Sequence, residues 1–196
     1  MRSLTASALL AALLTMTGCV QTRDVREPPS PTLQDSGFGK AHPAAAVELQ
    51  QFGRFAGRWE CAMSERTADG QWRMRPSKVN WTWFYTLEGR AVQDIWMSQS
   101  GTADSQVIAT NLRLFDAASQ QWNVAWTNTG QAQFELWTGG QVGDELVLTS
   151  VREQRTVRIR FYEIMPRRFK WMYEAATSRT AEKFQPVLQM LCQRLD

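Results

Sequence analysis

From residue 79 the chain reads VNWTWFYTL, and every second side chain is large and apolar. Val79, Trp81, Trp83, Tyr85 and Leu87 share one parity, with Asn80, Thr82 and Thr86 opposite. A period of two belongs to an extended strand with one buried face. The device recurs at Trp122, Val124 and Trp126, then at Val157, Ile159 and Phe161 against Arg158, Arg160 and Tyr162. It returns at Phe169, Trp171 and Tyr173 against Lys170, Met172 and Glu174. The gaps TADGQ, LEGR, DAASQQ, TNTGQ and TGGQVGD are short and carry turn residues. No helical run separates the strands, which argues against a parallel sheet. Many short antiparallel strands form either a sandwich or a closed barrel, and closure removes exposed edges. The expected fold is all-β: a single antiparallel up-and-down barrel of about nine or ten strands.

The region before the strands divides in two. MRSLTASALLAALLTMTGC has Arg2 at its positive end and a mostly apolar stretch from Leu4 to Leu14. That stretch falls short of the roughly 20 apolar residues of a membrane span and reads as a secretory signal. Met16-Thr17-Gly18-Cys19 resembles the bacterial lipoprotein box, in which the cysteine becomes a lipidated N-terminus. Met16 stands where leucine is usual, and ordinary cleavage nearby, leaving Cys19 a free thiol, is the alternative. Val20 follows the cysteine, where aspartate would mark retention at the inner membrane, so the resemblance favours the outer membrane. Residues 20–41 are polar and rich in Pro, Ser and Gly, as a flexible tether requires. The expected layout is a signal peptide at 1–18, a tether from lipidated Cys19 to residue 41, and a barrel domain over 42–196. An exported protein on the periplasmic face of a bacterial membrane follows, with the lipid as its membrane partner.

Pro43 and the Ala, Leu and Gln residues behind it predict one short helix ahead of the first strand. After it come Gly57-Arg58-Trp59 and then W-x-W-x-Y-x-L-x-G-R from Trp81 to Arg90. Together these resemble the lipocalin-like (calycin) barrels of bacteria over roughly residues 46–196. The resemblance implies a tryptophan packed across a closed barrel floor and the binding of an apolar small molecule.

With Cys19 lipidated, Cys61 near the first strand and Cys192 near the last remain. An oxidising compartment favours their pairing. In an up-and-down barrel the first and last strands are neighbours, so the pair falls within reach of a disulfide, which spans about 4.4–6.8 Å between Cα atoms. Two inert buried thiols are the alternative.

The sequence offers little chemistry. His42 is the one histidine, and it lies ahead of the barrel. No metal-ligand spacing occurs, so neither a metal nor any other cofactor is expected. Haem ligation through a histidine, known among barrels of this kind, does not carry over; a tyrosine such as Tyr85 or Tyr173 is the residual route. Ser-His and Cys-His pairs are excluded within the barrel. Net charge is only +3, with no run of Lys and Arg, so nucleic acid is not an expected partner. Arg158 and Arg160 share one strand face with Arg152 and Arg155 near, either as a mildly basic surface or as a solvated face interspersed with Glu153, Glu163 and Glu174. Asp94 sits among apolar neighbours with Arg90 shortly before it. It reads either as a pocket carboxylate that orients a ligand or moves a proton, or as an outward carboxylate paired with an arginine on a neighbouring strand.

Nine Trp and nine Phe are the unusual feature. By parity Trp81, Trp83, Tyr85, Trp126, Phe134, Trp171 and Tyr173 point inward and are the candidate ligand-binding set, while Trp96 and Trp137 read as outer or rim residues. Such rings either wall a binding cavity or fill the core outright. The expected function is a membrane-tethered periplasmic lipoprotein that binds an apolar or amphipathic small molecule without chemistry. The alternatives are a calycin-type enzyme using Asp94 or another buried carboxylate and a solid-core structural protein of the envelope.

Overall fold

A computed structural model describes residues 38–98, 107–176, 178 and 183–196. The signal peptide, Cys19 and most of the predicted tether lie outside the described residues. The elements run α1 (Leu49–Gly53), β1 (Gly57–Arg66), β2 (Trp72–Met74), β3 (Val79–Thr86), β4 (Ala91–Ser98), β5 (Ile108–Asp116) and β6 (Gln121–Asn128). They continue with β7 (Gln131–Val142), β8 (Glu145–Val151), β9 (Thr156–Met165), β10 (Arg168–Ala176) and β11 (Phe184–Arg194). From β3 on each strand pairs antiparallel with the next, β3 pairs with β1, and β11 returns to β1. The result is a closed ten-stranded barrel of β1 and β3–β11, as the alternation predicts. The short β2 pairs with the far end of β1, on the flank that β3 takes nearer its start. Pro76, which has no amide hydrogen to give to a ladder, stands between β2 and β3.

The expected helix is present but short. Turns occupy residues 43–47, and only five residues from Leu49 are α-helical. It sits across one end of the barrel, burying Leu49, Phe52 and Gly53. Phe52 meets Trp122 edge-on at 4.9 Å and Phe161 edge-on at 5.5 Å, and stacks on Trp83 at 6.2 Å. Phe55 packs 4.7 Å from Phe169, which is itself 4.7 Å from Trp59. This aromatic plug closes the floor, as the resemblance implies for Trp59. Phe38, in the predicted tether, and His42, just after it, already meet the barrel: Tyr85 N donates to Phe38 O at 2.9 Å and His42 N to Gly89 O at 2.9 Å.

At the seam between β1 and β11, Cys61 stands directly opposite Cys192, both fully buried. They are joined in a disulfide with Cα atoms 4.0 Å apart, slightly closer than expected. The bond bridges 131 residues of chain. On the chain-entropy view a loop of that length stabilises the fold by about 4–5 kcal/mol.

Candidate ligand-binding cavity

Above the plug the barrel is hollow. A cavity of about 310 Å³ is walled by Trp81, Trp96, Trp126, Trp137 and Trp171, with Tyr173, Phe161, Leu148, Ile159, Met63 and Met190 between them. The volume is at the lower end of what small-molecule sites occupy, roughly 300–1,000 Å³. The solid-core expectation is thereby set aside.

The walls follow from strand parity. On β3 the inward positions are Val79, Trp81 and Trp83, all buried. Trp81 faces Trp96 across the β3–β4 ladder, and Trp83 faces Asp94. On β10 Trp171 and Tyr173 lie with rings 6.5 Å apart and nearly parallel, forming one flat panel. Burial raises the pKa of the Tyr173 hydroxyl, and the Arg152 guanidinium opposes that.

Of the seven predicted ligand-binding residues, Trp81, Trp126, Trp171 and Tyr173 line the cavity. Trp83 does not reach it: fully buried against Phe52 and Phe55, it belongs to the plug. Tyr85 lies at the closed end, where its hydroxyl is 3.4 Å from Gln50 Oε1. A Cβ on Gly53 would come within 2.0 Å of that hydroxyl, which explains a glycine inside so short a helix. Phe134 points outward and is 77% exposed. The reason is the rim of β7: Glu135 and Trp137 take the inward positions, and Glu135 pairs with Arg152 at 2.8 Å. A polar residue facing in beside an apolar residue facing out inverts the ordinary parity signal. Trp96 and Trp137, expected as outer or rim residues, both line the cavity.

Asp94 is corrected as well. It faces inward and is completely buried, so the outward reading fails, although its partner is an arginine on a neighbouring strand. That partner is Arg113, opposite Val92 on β5, and not Arg90, whose guanidinium reaches toward His42. Asn111 Nδ2 donates to both carboxylate oxygens of Asp94, at 3.0 and 3.2 Å. Asp94 does not line the cavity, whereas Asn111 and Arg113 do. Its oxygens are committed to these two neighbours, which suits a counter-ion better than a proton-transfer group. Arg113 is wedged between the plug and the cavity, its Cζ 4.2 Å over the Trp83 ring and 5.0 Å over Phe52. Burial lowers the pKa of its guanidinium, and the Asp94 charge opposes this. Sequence reasoning missed Arg113 and Asn111; the signal was the alternation Ala109, Asn111, Arg113, Phe115 on β5, which is inward but half polar.

Among the described residues, three buried donors have no hydrogen-bond partner: Trp81 Nε1, Trp83 Nε1 and Arg113 Nε. Leaving a buried donor unpaired costs about 1–3 kcal/mol. The other two floor tryptophans are satisfied, Trp59 Nε1 by Phe55 O at 2.7 Å and Trp122 Nε1 by Gln51 Oε1 at 2.8 Å.

At the open end Arg75 and Arg152 line the mouth, held by Glu65 and Glu135 respectively. On the outer wall Arg158 bonds Glu174 at 2.6 Å and Arg160 bonds Glu145 at 2.5 Å. That face is an alternating ion-pair ladder, not a free basic surface.

No protein-family model matches the chain, and no curated protein matches it in sequence. Among solved structures, Rv2717c from M. tuberculosis aligns with a TM-score of 0.53 at 10% identity, over 78% of this chain and 99% of that one. The S-type phycobiliprotein lyase CPES from Guillardia theta aligns with a TM-score of 0.48 at 12% identity, over 75% of this chain and 92% of that one. At such identity the likeness to Rv2717c bears on the fold alone, and the domain is a closed ten-stranded antiparallel barrel.

Proposed function

We propose that this barrel binds an apolar or amphipathic small molecule non-covalently and does no chemistry on it. The observation that carries the reading is the hollow above the aromatic plug, walled by five tryptophans and closed at its base by a buried ion pair. Burial of a flat guest there recovers about 25 cal/mol per Å² of apolar surface, and indole walls add stacking geometry. Asp94 supports Arg113 rather than reaching the cavity, and the carboxylate that does line it, Glu135, is paired with Arg152, which suits binding better than the enzymatic alternative.

The sequence supplies the proposed address. The Arg2 end, the short apolar stretch and Gly18-Cys19 suit export and lipidation, and residues 20–37 suit a tether that holds the barrel near the periplasmic face of the outer membrane.

Native mass spectrometry of protein released gently from its own cell envelope tests both parts. The expected spectrum shows a mass surplus of one small guest and an N-terminal Cys19 carrying acyl chains. Guest-free protein that also fails to take up neutral apolar dyes contradicts the binding reading. A mature chain that retains Met1 contradicts the address.

A further inference from the structure

The base of the cavity is unbalanced in one direction. Trp81 Nε1 and Arg113 Nε are donors without acceptors, on side chains only 3% and 2% exposed, and both side chains line the cavity. The indoles of Trp81 and Trp83 are 4.9 Å apart, and Arg113 lies over Trp83, so the three side chains that carry the orphaned donors share one corner. No buried acceptor is orphaned among the described residues. Since buried polar groups are almost always paired, a cluster of donors alone points to an acceptor delivered by something else.

Charge narrows what that acceptor is. Arg113 already has its counter-ion in Asp94, and the pair is neutral. A ligand carboxylate would add a second anion facing a single guanidinium, inside a wall of indoles. An unpaired buried charge is heavily disfavoured there, whereas an uncharged oxygen needs no compensation. Shape narrows the rest. The near-parallel Trp171 and Tyr173 panel, with Trp96 and Trp126 among the other walls, suits a flat ring system.

We infer, resting on the binding reading above, that the cavity selects a flat, uncharged carbonyl compound of the aryl ketone or quinone class, inserted oxygen first. The carbonyl oxygen accepts from Trp81 Nε1 and from the Arg113 guanidinium, and the ring system fills the space toward the mouth.

Three naphthalenes of near-equal size test the assignment: 2-acetylnaphthalene, 2-isopropenylnaphthalene, which replaces the carbonyl oxygen with a methylene, and 2-naphthoate. Each competes at neutral pH with bound N-phenyl-1-naphthylamine, a neutral apolar dye. The ketone is expected to bind about tenfold more tightly than either rival, the scale of one hydrogen bond. Trp81→Phe keeps an aromatic wall and removes one donor. It is expected to weaken the ketone about five- to tenfold more than it weakens the hydrocarbon. Equal displacement by all three compounds, or tightest binding by the naphthoate, overturns the assignment while the binding reading stands. Failure of the dye itself to bind overturns both.

Discussion

Arg194, near the end of the last strand, lies over Trp59 at the start of the first, its Cζ 4.4 Å from the indole centroid. The same guanidinium donates to Ala56 O at 2.7 Å, Arg54 O at 2.8 Å and Pro166 O at 3.0 Å. One planar fork thus ties the chain behind the helix, the first strand and the β9–β10 turn into one floor. Only arginine has donors enough and the flat face for this. The clamp also explains the glycine two residues before Trp59. Gly57 has φ +138°, and a Cβ there would lie 2.3 Å from Arg194 Nη1.

Arg194→Met is therefore expected to lower unfolding stability by about 2–4 kcal/mol, and Arg194→Lys to recover only a minor part of it. Gly57→Ala is expected to cost at least about 2 kcal/mol through both backbone strain and displacement of the clamp. Urea unfolding followed by tryptophan fluorescence reads all three. A Lys variant as stable as wild type would contradict the clamp.

Reduction of the Cys61–Cys192 bond, or Cys192→Ala paired with Cys61→Ala, is expected to cost about 2–5 kcal/mol while leaving a folded barrel. Peptide mapping of protein from the envelope, with and without reductant, checks that the bond forms there. Free thiols at both positions would contradict it.

Arg113→Met leaves the Asp94 carboxylate buried without its counter-ion and is expected to cost about 3–5 kcal/mol. Combining it with Asp94→Leu removes both charges, and the double variant is expected to be markedly more stable than Arg113→Met alone. Strictly additive losses in the double-mutant cycle would show that the two side chains do not act as a pair.

Acidification is expected to weaken the outer wall. The Arg160 hydrogen bond holds the Glu145 carboxyl below its ordinary value of 4.5. A carboxyl depressed in the folded state binds its proton more readily in the unfolded one. Its contribution is thus complete above 4.5 and is lost as pH falls through the lower folded value. The pair is only part-buried and still screened by solvent, so the effect is small. Urea midpoints measured between pH 6 and pH 3 should fall less steeply in Glu145→Gln than in wild type; identical slopes would contradict this.

The closed barrel was legible in the sequence because strands such as Val79–Thr86 and Arg168–Ala176 turn alternate large side chains to the core, and that enforces the period of two. The seam bond was legible once the barrel was, because closure makes Cys61 and Cys192 neighbours. Trp81, Trp126, Trp171 and Tyr173 came from the same parity. What escaped is where polar residues face inward. Asp94, Asn111 and Arg113 satisfy one another inside; the half-polar alternation on β5 is a faint signal, and only the register that sets Asp94 opposite Asn111 brings the group together. At the mouth, Glu135 turns inward to meet Arg152, which flips the apparent parity of Phe134 and Trp137. The boundary between wall and plug was likewise invisible, since Trp81 and Trp83 share one face and differ only in depth.

The account stands or falls on whether a guest occupies the interior. Ala109 lines the cavity on β5, opposite Trp96, and Ala109→Phe puts a ring into the space without touching the plug or the clamp. Titration of wild-type protein with N-phenyl-1-naphthylamine should saturate at one equivalent, and the folded Ala109→Phe variant should bind at least about tenfold more weakly. Equal affinity in the two proteins, or no saturable binding to wild type, would contradict a ligand site inside the barrel.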